Sequence, residues 1–275
     1  MYFVLACDLI HPRALQRHSA LVDASVREQV HAAFATQPYQ RATVNGVPLQ
    51  TLVRVLGNET FLTEDDVDAG IKAVLDSVQL PHSVVVAHAD IYLGMIAGHN
   101  AGHELDTDVR GPTGTLTHER LRTTIPPDIT GKTIAFPICL ETLPVFDDAG
   151  NVVDEAHPWH WTLGWVQCVT VLNFGEVQYC DTYGSDNVRR GNIPASLVNR
   201  IVECLQYHSS TAHVRTRESP TCHFGGQMQH ESECGVCVIE GVRRLALGQS
   251  VSGDQPPRGQ ARADLAARLL GSRTV

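Results

Sequence analysis

A polar run, Gln227-Met-Gln-His-Glu-Ser-Glu, gives way at Cys234 to the apolar run Gly235-Val-Cys-Val-Ile239. That switch predicts a helix that begins at Cys234, with Gly248 as its C-terminal stop. Upstream, His160, Thr162 and Gly164 alternate with Trp161, Leu163 and Trp165. A period of two predicts a strand, here from His160 to Leu172. A second strand, Glu176 to Asp181, follows through Asn173-Phe-Gly. A fold that satisfies all three segments must set a pair of strands against the start of one helix. The expected class is α+β, with a mixed or antiparallel sheet packed on the helix that opens with Cys234.

The chain has 275 residues, 43% of them hydrophobic, enough for one large core or two modest ones. Its net charge of −9 and pI near 5.8 argue against non-specific nucleic-acid binding and favour basic partners. The opening Met1 to Cys7 run has no basic region before it and meets Asp8 at once, unlike a signal peptide. No stretch reaches the roughly 18 apolar residues of a spanning helix, so no membrane partner is expected. Eight cysteines spread through apolar segments do not resemble a disulfide framework. Reduced thiols in an intracellular, cytoplasmic or nuclear setting are expected, or in a host cell if a pathogen delivers the protein. A monomer is expected.

The chain divides into residues 1–57, an accessory segment or subdomain; 58–248, the main domain; and 249–275, a tail with a possible short helix at 259–270. The first segment reads as a strand at Tyr2–Cys7, a helix from Pro12 to about Ala35, and a hairpin turning at Asn45-Gly46. Thr63 is an N-cap with Asp66 three residues on, followed by the apolar face Val67, Ile71, Val74 and Leu75. Val84–Ala87 and Thr133–Leu140 read as strands, and Asp147-Asp-Ala-Gly-Asn as a hairpin turn. Asp90 caps a helix through about Ala97, and Pro194–Tyr207 reads as an amphipathic helix. Residues 98–130, rich in Gly, Thr, Asp and Pro, read as a long loop.

A thiol is a nucleophile only as the thiolate, and a helix N-terminus stabilises that form. Cys234 stands at such a start, and Gly235 keeps side-chain bulk away from it. His160 at the head of a strand would take the thiol proton. Asp181, at the end of the next strand, would orient the imidazole. A glutamine in the preceding loop, with the Cys234 N–H, would hold a developing oxyanion. Cys7, Cys139, Cys168, Cys180 and Cys204 read as small core residues. Cys234-Gly-Val-Cys237 is formally a C-x-x-C, but with Cys222-His223 and His230 it matches no common zinc spacing. No metal and no organic cofactor is expected, and Cys237 reads as a core residue one turn into the helix. The spacing His99-x-x-x-His103 reads as solvated loop, and Arg189-Arg190 and Arg243-Arg244 as solvated surface.

His160-Trp161, then Asp181-Thr-Tyr-Gly, then a glutamine loop and Glu233-Cys234-Gly235 resemble the motifs of the Ulp/SENP-type ubiquitin-like proteases and the related adenovirus protease. The resemblance covers roughly 59–247. It implies an adenain-like, papain-like cysteine protease fold and cleavage after the Gly-Gly tail of a ubiquitin-like modifier, SUMO or ubiquitin. Phe61-Leu-Thr-Glu64 resembles the family's Trp-Leu-(Asn/Thr)-Asp segment. Trp161 and Phe61 would then wall a tunnel over the tail, with Glu64 and Gly235 also among the substrate-binding residues. The family's glutamine lies six positions before the cysteine, where this chain has Met228. Gln227 is the preferred oxyanion donor, as in the viral protease, and Gln229 the alternative. Two other readings use the same residues. One is a Yop-type acetyltransferase with Cys234 as acyl carrier, disfavoured by Asp181 where those enzymes usually carry Glu. The other is a catalytically silent modifier-binding module.

Overall fold

Asn45 and Gly46 both take left-handed backbone angles, φ 51° and 82°. That turn matches strand twist, and it closes the expected hairpin between β1 (Thr43–Val44) and β2 (Val47–Pro48). The computed structural model describes residues 28–29, 32, 43–56, 61–78, 84–87, 129–140, 145–146, 152–154, 160–170, 173–181, 213–215, 221–223, 233–251 and 258–271. His160, Asp181 and several other strand-end residues are described in backbone position. The strand at 2–7, most of the helix at 12–35, the helices at 90–97 and 194–207, and most of the 98–130 loop lie outside the described residues.

A helix that the sequence reading missed, α1 (Leu49–Leu56), follows β2 directly. Its Leu49, Leu52 and Val55 recur at helical spacing, and none has exposed surface. The next helix, α2 (Glu64–Ser77), starts where Thr63 predicted. The Thr63 N–H at 3.0 Å and hydroxyl at 2.9 Å both donate to Asp66 Oδ2. The Asp66 carboxylate, fully buried, also takes a fork from Arg54 of α1, with Nη2 at 2.8 Å. One side chain thus caps α2 and ties it to α1.

Among the described residues, seven strands form one mixed sheet. Its spine is β7 (His160–Thr170), antiparallel to β4 (Thr133–Leu140) along the whole of β4, from Thr133↔Gln167 to Leu140↔His160. Beyond β4 lies β3 (Val84–Val86), parallel to it and paired only with Thr133–Ala135. Pro137 therefore sits where β3 has ended, and its missing N–H breaks no described ladder. On its other edge β7 meets a bent pair, β8 (Asn173–Glu176) near its C-terminus and β9 (Gln178–Asp181) near its N-terminus. Two strands not expected from the sequence complete the sheet: β10 (His213–Arg215) beside β8 and β11 (Thr221–His223) beside β9, both parallel. A separate hairpin, β5 (Val145–Phe146) with β6 (Val152–Asp154), brackets the expected turn.

Two more helices close the layer over the sheet. The first, α3 (Cys234–Ala246), begins at the cysteine and stops before Gly248, whose φ is +67°. The second is α4 (Arg258–Leu269). Ala263, Leu265 and Ala266 of α4 are buried in the same cluster as Leu52 of α1, Val67 of α2, Val238 of α3 and Leu163 of β7. Arg262, only 2% exposed, donates through Nη1 to the carbonyls of Arg54 at 3.0 Å and Val55 at 3.1 Å. It satisfies acceptors that the C-terminus of α1 leaves open. Residues 43–56 and 258–269 thus share one core with the helices between them, and the expected divisions near 57 and 248 do not separate cores among the described residues. Arg243 and Arg244, read from sequence as solvated surface, are mostly buried and both reach Glu240, at 2.7 and 3.2 Å.

Candidate active site

Cys234 is the first residue of α3, and its N-cap, Glu233, already has helical angles, φ −89° and ψ −9°. The thiol sits at the end of the helix where unpaired N–H groups favour an anion. Tight packing fixes that end. A Cβ on Gly235 would stand 3.1 Å from Leu62 Cβ and 3.3 Å from Trp161 Cδ1. Glycine therefore lets α3 approach both β7 and the segment leading into α2. Trp161 is fully buried, and its indole N–H donates to the Leu62 carbonyl at 2.9 Å. Leu62 thereby links the start of α2, the head of β7 and the start of α3. Cys234 itself is 1% exposed.

His160 opens β7, opposite Leu140 of β4. Asp181 closes β9, opposite Thr162, so it lies one strand away and two residues along from His160. Paired residues share a face and strand neighbours alternate, so His160, Thr162 and Asp181 occupy register positions of the same parity. Trp161, Leu163 and Cys180 hold the opposite parity and lie in the helix-side core. The backbone positions of His160 and Asp181 thus come from strand register, and that of Cys234 from helix packing. The Thr162 hydroxyl, opposite Asp181 in register, is buried with no hydrogen-bond partner among the described residues. Across Asp181, β11 places His223 directly opposite in register. The sequence reading missed that strand; its signal was the Thr-Cys-His run between Pro220 and Gly225-Gly226.

Phe61 is half-buried against the core, and Glu64 is the half-buried first residue of α2. Trp161, expected as a tunnel wall, stands in this structure between Leu62 and Gly235 with no exposed surface. Gln227 and Gln229 lie outside the described residues. Cys168, Cys180, Cys234 and Cys237 are buried thiols. Burial pushes Cys168 from the usual 9.0 to about 12. Burial, and then the charge of Cys234, push Cys237 to about 12 as well. Among the described residues no group of three or more His, Cys, Asp or Glu is placed to hold a metal, and no helix is long and apolar enough to cross a membrane.

No protein-family model matches the sequence, and no curated protein matches it by sequence. Solved structures do match by shape. The C-terminal Ulp1 protease domain in complex with Smt3, the yeast ortholog of SUMO, superposes with a TM-score of 0.57 at 14% identity. That alignment covers 91% of this chain and 96% of that one. The Ulp1-like SUMO protease catalytic domain of Chaetomium thermophilum gives a TM-score of 0.51 at 18% identity, over 91% of this chain and 90% of that one. Sequence identity this low carries shape rather than chemistry. With its mixed sheet, its helix opening at Cys234 and a match across nine-tenths of its length, the chain has the α+β fold of the Ulp-type cysteine protease domains.

Proposed function

We propose that this chain is a cysteine peptidase and isopeptidase that cleaves after the terminal glycine of a ubiquitin-like modifier, with SUMO the first class to test. The observation that carries the reading is Cys234 at the N-terminus of a buried helix, packed on the strand that His160 opens, in a fold shared with SUMO proteases. Cys234 attacks the carbonyl carbon of the scissile bond. His160 takes the thiol proton and returns it to the leaving amine. Asp181 orients the ring and favours the imidazolium. Gln227, or Gln229 in its place, joins the Cys234 N–H in holding the oxyanion. Water then hydrolyses the thioester, with His160 again as base.

Phe61, Glu64 and Gly235 line the modifier's tail in this reading. The test is labelling of the purified protein by SUMO and ubiquitin that carry a C-terminal electrophile. Labelling by SUMO that vanishes in Cys234→Ala supports the reading. Labelling by ubiquitin alone moves the substrate class. No labelling by either, together with acetyl transfer from acetyl-coenzyme A, would replace it with the acyltransferase.

A further inference from the structure

Cys237 lies one turn along α3 from Cys234, and the peptidase mechanism does not use it. The two thiols bracket Gly235-Val236 at the opening of a helix. Side chains three apart on a helix face each other, with Cβ atoms about 5–6 Å apart. A disulfide wants about 3.5–4.5 Å, so closure requires only a small tightening. That tightening falls on the first turn, where backbone N–H groups are not yet held by helical hydrogen bonds. Both side chains are almost fully buried, Cys234 1% exposed and Cys237 9%.

We propose that Cys237 is a resolving thiol: after peroxide oxidises Cys234, Cys237 closes a Cys234–Cys237 disulfide that silences the site reversibly. The inference rests on the reading of Cys234 as a reactive thiol reached by substrate, since an opening that admits a peptide tail admits a peroxide. In the first step the Cys234 thiolate attacks one peroxide oxygen. An S–O bond forms, the O–O bond breaks, and hydroxide leaves. In the second step the Cys237 sulfur attacks the Cys234 sulfur. The S–S bond forms, the S–O bond breaks, and the hydroxyl departs as water with the Cys237 proton. Two thiols and one peroxide give one disulfide and two waters. A small dithiol reductant restores both thiols by exchange.

The order of events is built into the electrostatics. Burial is the larger force holding Cys237 protonated, and the negative charge of Cys234 is the next. Oxidation of Cys234 to the neutral sulfenic acid removes that second force. Cys237 is therefore inert beside a working nucleophile and easier to ionise once the nucleophile is oxidised.

The experiment treats the full chain with hydrogen peroxide and follows intact mass, peptide maps and modifier-probe labelling before and after dithiothreitol. The wild type should lose two hydrogens, map to a 234–237 link, and recover most of its labelling on reduction. Cys237→Ser should instead gain two or three oxygens at Cys234 and stay dead after reduction. Cys168→Ser, at another buried thiol, should behave as wild type. If Cys237→Ser folds poorly, the mass and map of the wild type alone decide. Oxidation of wild-type Cys234 to sulfinic acid with Cys237 still reduced overturns the proposal. Because mass needs no substrate, a disulfide without modifier labelling keeps this inference and removes the peptidase. Labelling without a disulfide does the reverse.

Discussion

On one face of β7, four helices pack a continuous apolar core and seat the thiol; along its edge, His160 and Asp181 take their places from strand register. The two halves of the site are therefore sensitive to different errors. The thiol half answers to volume, because a methyl group on Gly235 would crowd Leu62 at 3.1 Å and Trp161 at 3.3 Å. The His–Asp half answers to pairing, because a one-residue slip would turn every side chain of a strand to the other face. Close-packed cores transmit small shifts, whereas a ladder of backbone bonds holds or slips as a unit. A site built from both can lose activity without losing stability, or lose both together, depending on which half is touched.

The sharpest way to test that division is Asp181→Asn. On the proposed chemistry it should lower kcat by about 10²–10⁴, with the denaturant midpoint unchanged. A matching fall in stability would make Asp181 a structural residue and erase the contrast. Next comes Trp161→Ala, expected to destabilise by about 3–5 kcal/mol and to remove activity as the start of α3 loosens. Trp161→Phe keeps most of the volume and loses the bond to Leu62, which should cost about 1 kcal/mol. Chemical unfolding of the pair separates packing from hydrogen bonding.

Asp66→Ala removes the fork from Arg54 and uncaps α2, and should cost about 2 kcal/mol, read as a shift in thermal midpoint. Alkaline titration gives a smaller and graded effect. The folded thiols of Cys168 and Cys237 ionise near 12 against an ordinary 9.0. Below pH 9 both are protonated in the folded and unfolded chains, and nothing is lost. Above it the unfolded chain sheds protons that the folded chain keeps, so stability falls by up to about 1.4 kcal/mol per pH unit per thiol until the folded pKa is reached. Cys237→Ala should flatten that slope between pH 9 and 12; an unchanged slope would count against the burial effect. The smallest effect is expected of Thr162→Val. It removes a buried hydroxyl that has no partner among the described residues, so stability should hold or rise by up to about 1 kcal/mol. A loss of activity without a loss of stability would show the hydroxyl to be held for the chemistry beside it.

The features legible in the sequence were those with local causes. The Asn45-Gly46 turn, the Thr63 cap with Asp66, the alternation after His160 and the start of α3 at Cys234 all depend on neighbours in the chain, and all appear where expected. The shape of the α+β domain followed from them. What was missed depends on distant partners. Leu49–Leu56 has helical spacing but follows Pro48 directly, and its Arg54 and Val55 carbonyls are answered by Arg262, about two hundred residues on. The strands β10 and β11 have three residues each and exist by pairing with β8 and β9. A short run of that kind carries too little pattern to announce itself. The site was legible in its motifs but not in its supports: nothing near Leu62 in the sequence shows that its carbonyl receives Trp161.

The Arg262 bonds to α1 also bear on how the chain reaches its folded state. They join residues separated by 208 and 207 positions, so the entropy of closing a loop of that length precedes them. During synthesis, Leu49, Leu52 and Val55 emerge long before the helix that covers them. Until α4 arrives, those side chains form an uncovered sticky surface of the sort that chaperones bind. Docking of α4 onto α1 should therefore be a late, slow step of folding. Pulse-labelling hydrogen exchange would detect it as protection in α1 and α4 that rises together, after the central strands have closed.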